Sequence, residues 1–193
     1  MGVRSTCKAR STSWPRADAL RTDRLSLEPL AVEHAGEMVV ALAPQNLYQF
    51  TGGEPPTLEE LDKRYRRQLR GQSEDGRAAW LNWIIRSAGG GPAVGFVQAT
   101  LTCEGADLVA DMAWLVTASE QGRGLAGEAA SAVVSWLTSM GVGRLQAYVH
   151  PDHTASARTA DRLGLVPTST LIDGEILWEA VTTSVAHQQE GAR

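Results

Sequence analysis

From Ala110 to Ala129 the chain reads ADMAWLVTASEQGRGLAGEA, and this stretch decides the fold. Ala110 to Val116 is rich in strand-forming residues, and after Gly122 and Gly124 the period changes. Leu125, Ala129, Val133, Trp136 and Met140 recur every three or four positions, the spacing of a helix with one buried face. A strand therefore runs into a glycine-bearing turn that opens a helix. The first N–H groups of a helix have no partner within it, and the helix dipole is positive there, so such a turn is suited to hold a phosphate or pyrophosphate. Glycine lets a ligand come close to the backbone. The run Gln121-Gly122-Arg123-Gly124-Leu125-Ala126 is neither GxGxxG nor a Walker loop with its lysine, which disfavours a dinucleotide fold or a nucleoside triphosphatase.

Upstream, Trp80 to Ile85 and Ala93 to Leu101 read as two strands joined through Gly89, Gly90, Gly91 and Pro92, and Glu104-Gly105 turns the chain into a strand starting at Leu108. Further back, Arg24 to Leu27 alternates as a half-buried strand ended by Pro29. Two helices lie between. The first carries Ala35, Met38, Val39 and Leu42 on its apolar face, with Glu33, His34 and Glu37 toward water; the second opens with a capping box at Thr57 and Glu60 and buries Leu58, Leu61, Tyr65 and Leu69. The Pro44 to Pro56 segment that joins them is a long loop or broken helix, and loops of that length often carry function.

Downstream, Gly141 and Gly143 stop the helix, Leu145 to Val149 is a strand, and Pro151-Asp152 is a turn and helix cap. Ala157, Ala160 and Leu163 mark a short helix ended by Gly164, and strands Leu165 to Leu171 and Glu175 to Val181 meet through the hairpin signal Asp173-Gly174. The order is strand, two helices, three strands, helix, strand, helix, two strands. It predicts a mixed α/β protein of the α+β type, with about seven strands and about four helices. No internal repeat appears.

With 193 residues, 43% of them hydrophobic and 21% charged, the chain has the composition of one soluble globular domain, large enough to build a core without staples. No apolar run approaches the roughly 20 residues of a membrane helix. Cys7 and Cys103 have no CxxC or Cys/His spacing around them, so neither a disulfide framework nor a zinc site is expected. The formal charge of -4 is unevenly spread: residues 1–17 are +4 and the remainder is -8. That basic segment lacks the apolar core of a signal peptide, so export is not supported and a cytoplasmic location is expected. The expected organisation is a flexible basic tail over 1–19, one domain over 20–181 and a flexible tail over 182–193.

The element order and the Gln121-x-x-Gly124-x-Ala126 turn, with Glu128-Ala129 behind it and Leu163-Gly164-Leu165 ending the last helix, resemble the GNAT superfamily of N-acetyltransferases over about residues 20–181. The opening from Leu20 to Leu30 looks closest to the branch of ribosomal-protein alanine acetyltransferases. The resemblance implies a mostly antiparallel twisted sheet that splays between its fourth and fifth strands, where acetyl-CoA binds. Main chain around Trp114, Leu115 and Val116 would pair with pantetheine, and Gln121, Gly122, Arg123, Gly124, Leu125 and Ala126 would hold the pyrophosphate. Asp111 falls where this branch often carries a strand glutamate, which makes it the candidate base, acting through water; otherwise it is an aspartate that faces solvent or pairs with an arginine. Strands usually disfavour Asp, so its presence calls for a reason.

Two departures stand out. The family's Asn-x-x-Ser helix start is His153-Thr154-Ala155-Ser156 here, and Ala160 stands where many relatives place a tyrosine that protonates the departing thiolate. His153 and Ser156 remain as candidate cofactor contacts, with Ser156 also a candidate catalytic group. A thiol of pKa about 8.5 needs little help to leave near neutral pH. No metal is expected: His150 and His153 flank a surface turn without further ligands.

The implied activity is direct transfer of an acetyl group from acetyl-CoA to a primary amine, either a protein N-terminus or a small molecule. Lys63 to Arg70 places five cations on the second helix, read as a solvated face balanced by Glu59, Glu60 and Asp62, or as a surface for an acidic tail or tRNA beside the acceptor site. Two alternatives follow: an amide-forming enzyme of the same fold fed by aminoacyl-tRNA or a carrier, and a non-catalytic CoA sensor. Dimers are common in the family, and no membrane partner is expected.

Overall fold

Strand alternation and two helix layers divide the chain between the two faces of one sheet, as the computed structural model of residues 14–182 shows. The elements are β1 (Leu20–Arg21), β2 (Leu25–Pro29), α1 (Ala35–Ala41), α2 (Leu58–Gln68), β3 (Ala78–Ser87), β4 (Ala93–Glu104), β5 (Asp107–Val116), α3 (Leu125–Ser139), β6 (Arg144–Val149), α4 (Thr154–Arg162), β7 (Val166–Ile172) and β8 (Glu175–Val181). The sheet order is β1-β2-β3-β4-β5-β6-β8-β7, with β5 and β6 the one parallel pair among the described residues. The strand beyond the expected seven is β1, a two-residue pairing with β2. Asp173 and Gly174 both take positive φ, 51° and 87°, in the hairpin that joins β7 to β8.

Residues of one parity, among them Leu81 and Trp83 of β3, Val97 of β4 and Ala110 of β5, form the main core with Ala129 and Val133 of α3 and Ala160 of α4. The opposite face carries a smaller core in which Ile84 meets Met38 of α1 and Leu61 and Tyr65 of α2. The exposed Leu58 and Leu69 depart from the expected buried stripe; they sit at the two ends of α2, where the stripe outruns the layer it packs on. His34 differs from the water-facing reading, whereas Glu37 stays exposed while it pairs with Arg86. His34 Nδ1 accepts from Ala31 N at 3.0 Å, and Glu37 Oε1 accepts from Arg86 Nη2 at 2.8 Å, tying α1 to the sheet. The Arg86 guanidinium holds the Glu37 carboxyl down at about 2.

The tail expected over 1–19 lies mostly outside the described residues. Its last part is held to the domain: Trp14 Nε1 donates to Gly76 O at 3.0 Å, and Asp18 accepts from Trp83 Nε1 at 2.7 Å and Trp136 Nε1 at 3.1 Å. Of the segment 182–193, only Thr182 is described, and its N–H donates to Gly143 O at 3.0 Å. Cys103 is disulfide-bonded, contrary to the expectation from spacing; Cys7 lies outside the described residues. Among the described residues no helix is long and apolar enough to cross a membrane, and no group of His, Cys, Asp or Glu could hold a metal ion.

Candidate active site

β5 and β6 pair at Val109↔Arg144, Ala110↔Leu145 and Asp111↔Gln146 and then part. β5 continues along β4 as far as Gly95↔Val116, while β6 continues along β8 as far as Val149↔Ile176. The sheet thus opens as a fork, at the position the family resemblance implies. Gly95 holds one prong in place: a Cβ there would lie 2.1 Å from the Leu115 carbonyl oxygen, so only glycine permits this approach. Trp114 leans on the main core and Leu115 on the smaller one, leaving their main chain along the fork.

The prong of β5 ends in the turn that opens α3. Gly124 is the N-cap in the left-handed region at φ 75°, and no side chain caps the helix. The first N–H groups of α3 are therefore open to an anion. Gln121 turns back, its amide donating to Val116 O at 3.1 Å, and Arg123 pairs with Glu120. Arg24 Nη1 donates to Arg123 O at 3.1 Å, and Arg24 Nε donates to Glu128 Oε2 at 2.6 Å, so the β1–β2 turn latches the start of α3. Burial works against the charge on Glu128, but its bonds from Thr22 and Arg24 outweigh that and hold its carboxyl below the usual range.

Arg162, at the end of α4, lies across the same helix start. Its Nη1 would stand 3.1 Å from a Cβ on either Gly124 or Gly127, and its Cδ 2.9 Å from one on Gly127. Sequence reasoning missed this cation, because no spacing rule links positions 162 and 127; the only trace is a glycine inside a helix.

Asp111 stands at the crotch of the fork, on the face that carries α1 and α2. Among the described residues it neither pairs with an arginine nor faces freely into solvent: its Oδ1 is buried without a partner. Burial pushes its carboxyl above the ordinary range. Its cross-strand neighbours are Thr100 and Gln146, and Gln146 Nε2 donates to Glu179 Oε1 at 2.7 Å. Thr100 also lines a cavity of about 620 Å³, shared with Arg67, Gln68, Trp80, Asn82 and Gln98. Gln68 Oε1 is a second buried acceptor with no partner. Of the five cations expected on the second helix, Arg70 lies past the end of α2; it bonds Glu74 at 3.3 Å, Arg66 bonds Asp62 at 2.7 Å, and Glu60 is taken by the capping box with Thr57.

At the far end of β6 the cap of α4 is His153, not Asp152: its Nδ1 accepts from Ser156 N at 3.4 Å, the ring standing in for a shorter acceptor side chain. Burial, then the neighbouring His150, holds His153 below the usual histidine range. Phe50 stacks on His153 with ring centroids 4.4 Å apart and lies 5.5 Å from His150. The α1–α2 loop, a short 3-10 turn over Gln45–Tyr48 and not a broken helix, therefore reaches the end of the β6 prong.

Residues 24–166 match the acetyltransferase (GNAT) domain family, and the chain belongs to that family. Solved structures share its fold. An acetyltransferase from Agrobacterium tumefaciens is 24% identical with a TM-score of 0.65, over 89% of this chain and 99% of its own. A ribosomal-protein α-N-acetyltransferase in complex with coenzyme A is 14% identical with a TM-score of 0.70, over 86% and 99%. A microcin self-immunity acetyltransferase in complex with acetyl-CoA and AMP is 15% identical with a TM-score of 0.67, over 83% and 94%. No curated protein matches the chain.

Proposed function

We propose that this acetyltransferase moves an acetyl group from acetyl-CoA directly to a primary amine, and that the fork between β5 and β6 is the reaction site. The observation that carries this reading is Asp111, a buried carboxylate oxygen without a donor at the crotch of the fork. Main chain of Trp114, Leu115 and Val116 would pair with the pantetheine amides. The turn from Gln121 to Ala126, together with the N–H of Gly127 in the first turn of α3, would take the pyrophosphate, with Arg162 supplying positive charge. The polar cavity beside Asp111 would receive the acceptor, whose N–H groups suit the unpartnered oxygens of Asp111 and Gln68.

In this reaction the amine nitrogen attacks the thioester carbonyl carbon, a C–N bond forms and the C–S bond breaks. The amine proton passes to Asp111 through water, and coenzyme A leaves as thiolate. The raised affinity of Asp111 for a proton suits it to this role. Because Arg66 pairs with Asp62 and Arg70 with Glu74, the run from Lys63 to Arg70 reads better as a largely solvated face than as a tRNA surface.

The test is intact-mass analysis of peptides, polyamines and aminoglycosides incubated with acetyl-CoA, alongside calorimetry of acetyl-CoA binding. A mass gain of one acetyl group on an amine, with donor binding weakened at least tenfold by Arg162→Glu, is the expected result. Absence of donor binding by the folded wild type would sink the reading.

A further inference from the structure

Tyr148 is the feature of the fork that the proposed reaction leaves unused. It lies on β6 two residues beyond Gln146, the last residue paired with β5, and so shares a face with Gln146 and Asp111. Had the ladder continued, Tyr148 would pair with Ala113; instead the fork opens between the two strands. One prong thus presents a side chain with no reach and the other a phenol, 38% exposed. On its other flank Tyr148 registers with Leu177 of β8, which offers no hydrogen bond. The charged groups that bear on it are Asp111 of β5 and Glu179 of β8. Burial first, then these two carboxylates, raises the phenol above its ordinary value, so the O–H stays intact through the neutral and mildly alkaline range.

The other two tyrosines are engaged elsewhere: Tyr48 Oη donates to Leu42 O at 2.9 Å, and Tyr65 is buried in the smaller core. Position 160 on α4 is an alanine, fully buried in the main core on the opposite face of the sheet.

We propose that Tyr148 is a catalytic residue that donates a hydrogen bond to the coenzyme A sulfur as the C–S bond breaks, a role that rests on the acetyl-transfer reading above. A thioester held in the fork puts its sulfur between Ala113 and Tyr148. As the amine nitrogen bonds to the carbonyl carbon, the electron pair of the C–S bond moves to sulfur, and the phenol O–H meets the growing charge. A thiol is more acidic than this phenol, so the phenol keeps its proton; the thiolate leaves and takes a proton from solvent. The amine proton, held by Asp111, is also released to solvent, and the charges balance.

The test uses the full chain, acetyl-CoA and whichever amine of the panel turns over, with thiol release as the signal. Tyr148→Phe is expected to lower kcat about 10- to 100-fold while calorimetry shows acetyl-CoA binding unchanged. A fluorinated tyrosine placed at 148, with a more acidic phenol, is expected to bring a falling alkaline limb of kcat down into the working range. A purely structural tyrosine would not move that limb. An unchanged kcat in Tyr148→Phe, or an alkaline limb that ignores fluorination, overturns the proposal while leaving the acetyl-transfer reading intact. If wild type turns over no amine, both fall.

Discussion

Asp111 shows how a buried carboxyl ties stability to pH. Its folded-state proton affinity is raised by burial, so the folded protein binds a proton that the unfolded chain releases. Stability therefore falls as pH rises from the ordinary carboxylate value, about 3.9, through the raised one, and stays lower above it. Asp111→Asn is expected to raise Tm at pH 7 and to leave it unchanged near pH 3, measured by calorimetric melting. The same variant should lose about 10²- to 10⁴-fold in kcat, with the acidic limb of its pH profile gone. A variant with unaltered turnover would show that the buried oxygen has no part in proton removal. The sequence made Asp111 conspicuous, since a strand seldom carries Asp, but three fates remained open for it. Burial without a partner is a property of the packed face, and it removes two of them, the solvent-facing aspartate and the arginine partner.

Among the elements, the turn into α3 was legible because its signal is local: a change of period and two glycines within a few residues. The capping box of Thr57 and Glu60 and the Asp173-Gly174 hairpin were readable for the same reason. What the sequence hid is long-range. Arg162 reaches a helix start 38 positions earlier, between Gly124 and Gly127. Tyr148 gains meaning only from where β5 leaves β6. Gly95 looks like any strand glycine until the Leu115 carbonyl is placed against it. Gly95→Ala must shift β4 from β5, since the obstructing atom is backbone. The expected cost is about 1–3 kcal/mol in urea unfolding, together with weaker acetyl-CoA binding, because the displaced residues form one prong of the fork. Loss of stability with undiminished donor affinity would mean that the prong's position is unimportant for binding.

Across the whole molecule, two halves of the sheet, β1 to β5 and β6 with β8 and β7, share a seam of three register pairs. The covering helices add to that seam, and a ligand lying along both prongs should add more. Acetyl-CoA at a hundredfold excess over its Kd is expected to contribute about 2.7 kcal/mol by mass action, a rise in Tm of about 5–10 °C for a chain of this size. A melting curve that ignores the donor would show that nothing binds to the folded state. The fork has a further consequence. Most sheets keep their unpaired strand edges at the periphery, where charge or short length discourages intruders; this one keeps two of them facing each other in its interior. Any extended chain narrow enough to enter can satisfy both with its own backbone amides, regardless of its side chains. Short, unstructured peptides should therefore compete with the donor through main-chain hydrogen bonding alone, as strand mimics in the middle of a sheet.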